Sequence, residues 1–306
     1  MPSVAAEAPL VVVVGATATG KTCLATALAA HLEGEMVNAD SRQAFRDLAV
    51  GVNKPTPVEC RGVPCHGLDW RGLGEPFTVA DFVERAHRAC DEIASRGRVA
   101  VVVGGTGLYV RALVDGFDFG GVAPGPEPRG AVQGGSAAVR AGALLRQRAP
   151  DLAARVDLRN PRRVARALEL ADAGARPGRG GRSRPALWVG IRVASDRLRR
   201  RIEERTARLV GPAWRQEVDD LLGRGIPEAT LAAAAIGYRE VLQWRAGEIT
   251  LDEARARVAR RTWRYARAQA TWFRREPRIR WLEDDEMVAM LHQAVASLGL
   301  TPPGTR

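Results

Sequence analysis

The sequence predicts an α/β fold: a doubly wound parallel sheet interrupted by a helical insertion domain. Three observations predict it. Continuous apolar runs of strand length, residues 11–14 (VVVV) and 99–103 (VAVVV), are each followed at once by glycine, as buried parallel strands often are. These runs alternate with segments of helical periodicity, so parallel neighbours can be joined by crossover helices. The alternation breaks between two Gly- and Pro-rich passages, one after Gly116 and one over residues 174–185, with helical character between them.

Each element follows in order. The first strand runs into GATATGKT, residues 15–22, and residues 22–32 read as a helix. Residues 35–39 form a second short strand that ends at Asp40-Ser41. Residues 77–96 have helical periodicity, with Thr78 placed to cap them ahead of Asp81. The strand at 99–103 is followed by Gly104-Gly105-Thr106-Gly107 and an apolar turn, LYVRALVDG. Residues 117–186 make the insertion, helical over 136–173 and containing NPRRVARALEL. Residues 188–193 return to the sheet, 196–209 and 213–222 are helical, and Ile236-Gly237-Tyr238-Arg239 opens another helix. A long helix spans 251–275, and 279–282 closes the sheet. The predicted domains are thus a core of 1–116 and 187–306, carrying a basic helix near its C-terminal end, and an insertion of 117–186.

Composition narrows the function classes. A chain of 306 residues with 46% hydrophobic content can build a sizeable core. No apolar run reaches the length of a membrane span, and the first ten residues lack the features of a signal peptide, so a cytoplasmic protein with no membrane association is expected. Cys23, Cys60, Cys65 and Cys90 show no zinc-ribbon or disulfide spacing. The net charge of +11 favours a polyanionic partner, although an arginine-rich composition alone would also produce it. Of the 46 basic residues only Lys21 and Lys54 are lysine. Lys21 stands where a compact ammonium, rather than a planar guanidinium, suits a phosphate loop.

GATATGKT fits G-x-x-x-x-G-K-[ST] at Gly15, Gly20, Lys21 and Thr22. Such a loop turns backbone N–H groups onto phosphate oxygens at a helix N-terminus; the lysine adds charge and the Thr22 hydroxyl a ligand for Mg²⁺. The sheet is therefore P-loop NTPase-like, and Gly15, Ala16, Thr17, Ala18, Thr19, Gly20, Lys21 and Thr22 are the candidate phosphate-binding residues. A nucleotide-hydrolysing protein of this type places an Asp at the end of a second buried strand. Here that strand ends in Gly104-Gly105-Thr106, and the nearest strand-end carboxylate is Asp40. Asp40 can position a metal or take a proton from a nucleophile, and an ordinary turn residue is the competing reading.

Further motifs follow in order: NADSRQAFRDLAVGVNKPTP, CRGVPCHGLD, FTVADF, VVGGTGLYVRALVDG, NPRRVARALEL, RIEERTARL, AIGYREVL and RYARAQATWFRR. Together they resemble the bacterial tRNA dimethylallyltransferases, the IPP transferase family, over all but the Gly-rich passages and the chain ends. The resemblance implies that the loop grips the diphosphate of dimethylallyl diphosphate. It implies that N6 of the adenosine 3′-adjacent to the anticodon (adenosine 37) attacks the allylic carbon. Asp40 matches the family's base, and Thr106 and Arg205 match residues that cradle the departing charge together with Thr17, Lys21 and Thr22. Mg²⁺ is the implied cofactor. The implied partners are dimethylallyl diphosphate and tRNA through its anticodon stem-loop, with the chain acting as a monomer.

The resemblance also assigns tRNA contacts to Ser41, Arg42 and Gln43; to Arg162, Arg163 and Arg166 in the insertion; and to Gly237, Tyr238, Arg239, Arg264, Arg267, Gln269, Trp272 and Arg274. The sequence itself supports a nucleic-acid surface on the long helix. Residues 254–275 hold eight arginines and no acid, interleaved with Trp263, Tyr265, Trp272 and Phe273. A phosphate backbone relieves the repulsion among such charges. The competing reading makes Val258, Thr262, Tyr265, Gln269 and Trp272 a packed face with the arginines merely solvated. Phe45, Asn53, Cys65, Trp263 and Ala268 depart from the family pattern, the last two in place of arginines. Three alternatives follow: an adenylate isopentenyltransferase acting on free AMP, ADP or ATP, a P-loop small-molecule kinase, and a non-catalytic RNA-binding protein.

Overall fold

The computed structural model describes residues 9–122, 135–175 and 177–300. It divides into two compact units, Met1–Val114 with Arg184–Arg306, and Asp115–Ser183. The Gly- and Pro-rich passage expected as a connector after Gly116 falls, over 123–134, outside the described residues, as does Arg176 in the second passage.

The first unit is organised by a six-stranded sheet. Its strands are β1 (Leu10–Val14), β2 (Glu35–Asn38), β3 (Cys65–His66), β4 (Ala100–Gly104), β7 (Ala186–Arg192) and β8 (Ile279–Glu283). They lie in the order β3-β2-β4-β1-β7-β8. Every pairing is parallel: Val14 lies opposite Gly104 on one side and Gly190 on the other, and Val37 lies opposite Val102. An all-parallel sheet needs cover on both faces, and the alternation along β1 supplies apolar side chains to each. Val12 and Val14 pack with Phe82, Ile93, Leu113 and Phe273, whereas Val11 and Val13 pack with Leu24, Leu28, Met290 and Leu298.

The helices that cover these faces form where the sequence supplies caps and periodicity. α1 (Lys21–His31) starts directly from the phosphate loop. α2 (Val79–Ser95) begins with a reciprocal capping box between Thr78 and Asp81. α3 (Gly107–Asp115) is a helix where the sequence suggested an apolar turn: Tyr109, Val110 and Leu113 share a buried stripe that nine residues barely reveal. α7 (Ser195–Leu209), α8 (Pro212–Gly223), α9 (Glu228–Ala234), α10 (Tyr238–Arg245) and α11 (Leu251–Phe273) follow β7. α11 is also fixed at its start by a capping box, between Thr250 and Glu253. α12 (Met287–Leu298) covers the sheet beside α1. β8 runs along the sheet's edge, parallel to β7. A separate core around Trp214, Val218, Tyr238, Val241 and Val258 joins α8 to α11 and receives Phe45 and Leu48.

The second unit holds α4 (Gly135–Arg148), α5 (Pro150–Ala153) and α6 (Pro161–Asp172) around Leu145, Leu152, Val164 and Leu170. Asn160 caps α6 by accepting a hydrogen bond from the Arg163 amide. β5 (Phe117–Asp118) and β6 (Gly178–Arg179) form an antiparallel pair at the ends of this unit, in passages whose composition reads as loop. No helix among the described residues is long and apolar enough to cross a membrane.

Candidate active site

The site forms at the carboxyl ends of β1, β2 and β4, where a doubly wound sheet opens a crevice. β1 delivers the phosphate loop. Within it Ala18 is held at φ 64, a left-handed conformation unusual for a residue with a side chain. Gly20, at φ 89, turns the chain into α1. That helix has no side-chain cap and no acidic residue in its first turn. Its leading N–H groups and partial positive charge are therefore directed at the loop without a competing anion. Thr19 is buried and donates to the Ala16 carbonyl at 2.9 Å, so its hydroxyl holds the loop's shape from inside.

Lys21 projects into this crevice. Part of its stem reaches solvent, but the ammonium is enclosed and donates to the Ala16 carbonyl at 3.3 Å. Burial lowers its pKa to about 8, with Asp40 acting to raise it and Arg205 to lower it further. Arg205 reaches the loop from α7 and donates to the Thr17 hydroxyl at 3.3 Å; burial depresses its pKa, against the pull of Asp40. Lys21, Arg205 and Asp40 therefore share one electrostatic neighbourhood. The structure places two cations and one carboxylate around the GATATGKT loop.

β2 and β4 position the other candidates. The Asp40 carboxylate accepts from the Arg42 amide at 2.8 Å, which fixes the turn after β2. Thr106 closes on that turn from β4: its amide donates to the Ala39 carbonyl at 3.3 Å, and its hydroxyl accepts from the Ser41 amide at 3.1 Å. Among the described residues no group of three or more His, Cys, Asp or Glu is arranged to hold a metal ion. The oxygen donors beside the loop are the Thr22 hydroxyl on α1 and the Asp40 carboxylate.

The long helix α11 lies against both loops, and here several expectations change. Gln269 is 5% exposed, accepts from the Thr17 amide at 2.8 Å and donates to the Gly105 carbonyl at 2.8 Å. It is thus a buried strut between phosphate loop and β4, and not an RNA contact. Trp272 packs into the core beneath Gly107, where an added Cβ would come within 2.3 Å of the indole. Its ring is half-buried, so one face is committed to the core. Tyr238 is fully buried, stands edge-on to Trp214 and donates to Glu217 at 2.6 Å. Gly237 is covered by the same indole, 2.1 Å from where a Cβ would sit. Arg166 directs its guanidinium to Glu169 at 2.7 Å and to the Val122 carbonyl at 2.6 Å, inside the second unit. Gly237 and Tyr238, both buried, leave the RNA-contact set, whereas Arg166 is half-buried.

The remaining candidates are open to solvent. Arg239, Arg264, Arg267 and Arg274 are exposed on the first unit, and Arg162 and Arg163 on the second. Arg42 is exposed but donates to the Ala234 carbonyl at 2.7 Å. The Gln43 amide nitrogen donates to the Val52 and Asn53 carbonyls at 3.2 and 2.8 Å. Ser41 and Gln43 are half-buried beside Asp40 in sequence.

Two residues that sequence reasoning left without a place belong to this neighbourhood. Tyr265 lies one helical turn before Gln269. More than a third of its surface is exposed, yet its hydroxyl end is desolvated. Burial pushes that phenol up to about 12, Asp40 adds to the rise, and hydrogen bonding with Thr106 and Gln269 opposes it. The i, i+4 spacing to Gln269 is the signal that could have found it. Glu217 accepts from the amides of Ala49, Val50 and Gly51 at 2.7, 2.6 and 3.2 Å, and from Tyr238. It fixes the loop that descends from Asp40, and a single Glu on a predicted helix gave no hint of that.

Fold and site together define a P-loop-like α/β protein in which β2 leads to Asp40 while β4 ends at Gly104 with no carboxylate. The family model described as "IPP transferase" matches residues 43–276. A tRNA dimethylallyltransferase of a Nocardioides species is 38% identical over 307 residues, covering 97% of each chain. One from Kocuria rhizophila is 42% identical over 286 residues, covering 90% of this chain and 89% of that one. Among solved structures, the tRNA isopentenylpyrophosphate transferase of Bacillus halodurans superposes with a TM-score of 0.71 at 33% identity, covering 95% of this chain and 96% of its own. The chain belongs to the IPP transferase family.

Proposed function

We propose that the chain transfers the dimethylallyl group of dimethylallyl diphosphate to N6 of the adenosine 3′-adjacent to the anticodon in tRNA. The observation that carries this reading is the pairing of a phosphate loop with Asp40. Lys21, Arg205 and the α1 N-terminus supply fixed positive charge, while β4 ends in Gly104-Gly105 where a hydrolase would hold an acid. Such a site suits a diphosphate that leaves more than one that is hydrolysed. The relatives' names, which specify tRNA, support the acceptor.

The N6 lone pair attacks C1 of the prenyl chain. The C1–O bond breaks and its electron pair departs with the diphosphate. The N6 proton passes to the Asp40 carboxylate, which Thr106 and the Arg42 amide hold in place through the turn they share. Charge developing on the bridging oxygen is met by Lys21, the loop amides and Arg205, donors already oriented before reaction. Adenine must leave the anticodon stack to reach a crevice at the strand ends. Exposed Arg264 and Arg267 on α11, Arg274 just past its end and Arg239 on α10 are the phosphate contacts proposed for the first unit. Arg162 and Arg163 are those proposed for the second.

Mg²⁺ fits the chemistry of these donors. Thr22 and Asp40 offer hard oxygen ligands, and the lack of a three-carboxylate cluster among the described residues suits a cation that arrives on the diphosphate. When bound it neutralises part of the leaving group's charge. The test incubates the protein with labelled dimethylallyl diphosphate and unmodified tRNA, free AMP or buffer. Label entering tRNA supports the reading. Label entering AMP alone moves the acceptor to a free nucleotide, and ATP consumption without label transfer overturns the class.

A further inference from the structure

Gln269 makes two hydrogen bonds of 2.8 Å that join different strand-end loops. Its amide oxygen takes the Thr17 N–H of the phosphate loop, and its amide nitrogen serves the Gly105 carbonyl just before Thr106. Both loops are shaped around it. A Cβ at Gly105 would fall 2.2 Å from the Gln269 amide nitrogen, so glycine is required there for the strut to reach. On either side along α11, Tyr265 meets Thr106 and Trp272 packs against Gly107. Ala266 on the same helix packs with Ala16 of the phosphate loop and Ile202 of α7, the helix that carries Arg205.

We propose that Gln269 is a positioning residue for the prenyl transfer: it sets the spacing between the diphosphate cradle and the Thr106–Asp40 turn. The inference rests on the prenyl-transfer reading, because the two loops it joins are those assigned to the leaving group and to the proton acceptor. Thr17 receives Arg205 through its hydroxyl and Gln269 through its amide, so one residue of the loop is fixed from two helices. Without the strut, the Thr17 peptide is free to rotate and takes its hydroxyl away from Arg205. The consequence falls on the diphosphate, which loses an ordered cradle, and on the alignment of C1 with N6. Binding of RNA by the exposed arginines is left alone.

The measurement separates these steps. Binding of dimethylallyl diphosphate without any acceptor is followed by calorimetry, and transfer to tRNA by labelling, for the parent, Gln269→Ala, Gln269→Glu and Gly105→Ala. Of the two hydrogen bonds lost in Gln269→Ala, the one that orders the Thr17 amide predicts about a tenfold weaker diphosphate Kd. KM for the diphosphate rises accordingly and kcat falls, while KM for tRNA stays near the parent's. Gly105→Ala reaches the same state by pushing the amide aside, and it carries the test if Gln269→Ala fails to fold. Gln269→Glu supplies a signature that a purely structural role lacks. A protonated glutamic acid can accept from Thr17 and donate to Gly105, whereas its carboxylate cannot donate and repels the diphosphate. Its Kd relative to the parent's should recover as pH falls through the titration of the introduced carboxyl, and the parent's should show no such recovery. An unchanged diphosphate Kd and kcat in Gln269→Ala overturns the proposal, as does a loss confined to KM for tRNA. Failure of the parent itself to transfer label would instead remove the functional reading beneath it.

Discussion

Lys21 offers the sharpest quantitative test of the site. Burial brings its pKa from an ordinary 10.5 to about 8. This disfavours its charged form in the free protein by about 3 kcal/mol. A diphosphate seated in the loop restores the charged form, because two anionic phosphates replace the water that burial removed. Below pH 8 the free protein already carries the proton; by pH 9 only about one-tenth of it does. Binding of dimethylallyl diphosphate in the absence of acceptor should therefore take up close to no proton at about pH 7 and close to one at about pH 9. Affinity should fall about tenfold across that interval. Calorimetry in buffers of different ionisation enthalpy reads the uptake directly, and Lys21→Met supplies the background from the ligand and other groups. Equal uptake in parent and Lys21→Met, or an affinity flat to pH 9, would refute the placement of Lys21 on the diphosphate. The free protein carries a linked signature. Its folded pKa lies below its unfolded one, so the unfolded chain binds more protons between about pH 8 and 10.5. This group's contribution to stability must then rise with pH across that window.

Four other outcomes follow from the geometry. Asp40→Asn should abolish label transfer while leaving calorimetric binding of dimethylallyl diphosphate within about twofold, since the amide keeps the turn but loses the base; unchanged turnover removes Asp40 from the chemistry. Replacing Arg264 and Arg267 with Ala should lower the slope of log Kd for tRNA against log salt by about one for each phosphate that an arginine no longer neutralises, and a slope identical to the parent's returns both side chains to bulk solvent. Glu217→Ala leaves three backbone amides and the Tyr238 hydroxyl without their acceptor. Denaturant titration should show a loss of about 2–4 kcal/mol, and a loss below about 0.5 kcal/mol would mean that water replaces the carboxylate. Glu35 is held down to about 2, chiefly by the Arg96 guanidinium, with His66 adding to it. Its stabilisation of about 3 kcal/mol is complete above the unfolded carboxyl's range and disappears as pH falls from about 4.5 towards 2. The acid-unfolding midpoint of Glu35→Gln, compared with the parent's, checks it.

Much of the sheet was legible because its strands obey one rule. A fully buried parallel strand is apolar at every position, and 11–14 and 99–103 satisfy that with no competing reading. Thr78 and Asp81 likewise declared a helix start through a reciprocal pair that can be read from spacing alone. What stayed hidden depends on neighbours far along the chain. β3 is two residues long and pairs only because β2 presents a free edge to it. The helix at 107–115 begins in glycine and is only nine residues long, so its sequence resembles a turn. Trp272 and Gln269 had two compatible readings from helical spacing, packed or RNA-facing, and the sequence could not say which loops would lie beneath them. Tyr238 gave no sign that Trp214, twenty-four residues earlier, would enclose it.

The Gly104-Gly105-Thr106-Gly107 segment gains its explanation from that hidden packing. A phosphate-binding role would account for glycines by backbone approach to a ligand. In this chain the close approaches are to protein. Gly104 faces the Ala39 carbonyl, where a Cβ would lie 2.4 Å away; Gly105 faces the Gln269 amide; and Gly107 faces the Trp272 ring. These residues draw β4 against the Asp40 turn and draw α11 against both. Thr106 is then the one position of the four whose side chain can enter the crevice, and its hydroxyl meets Ser41 there. An acid at the end of β4, as hydrolysis would use, has no room where Gly104 and Gly105 stand. The segment that brings α11 against the GATATGKT loop also excludes the carboxylate, so the same packing that assembles a transferase site keeps hydrolytic machinery out of it.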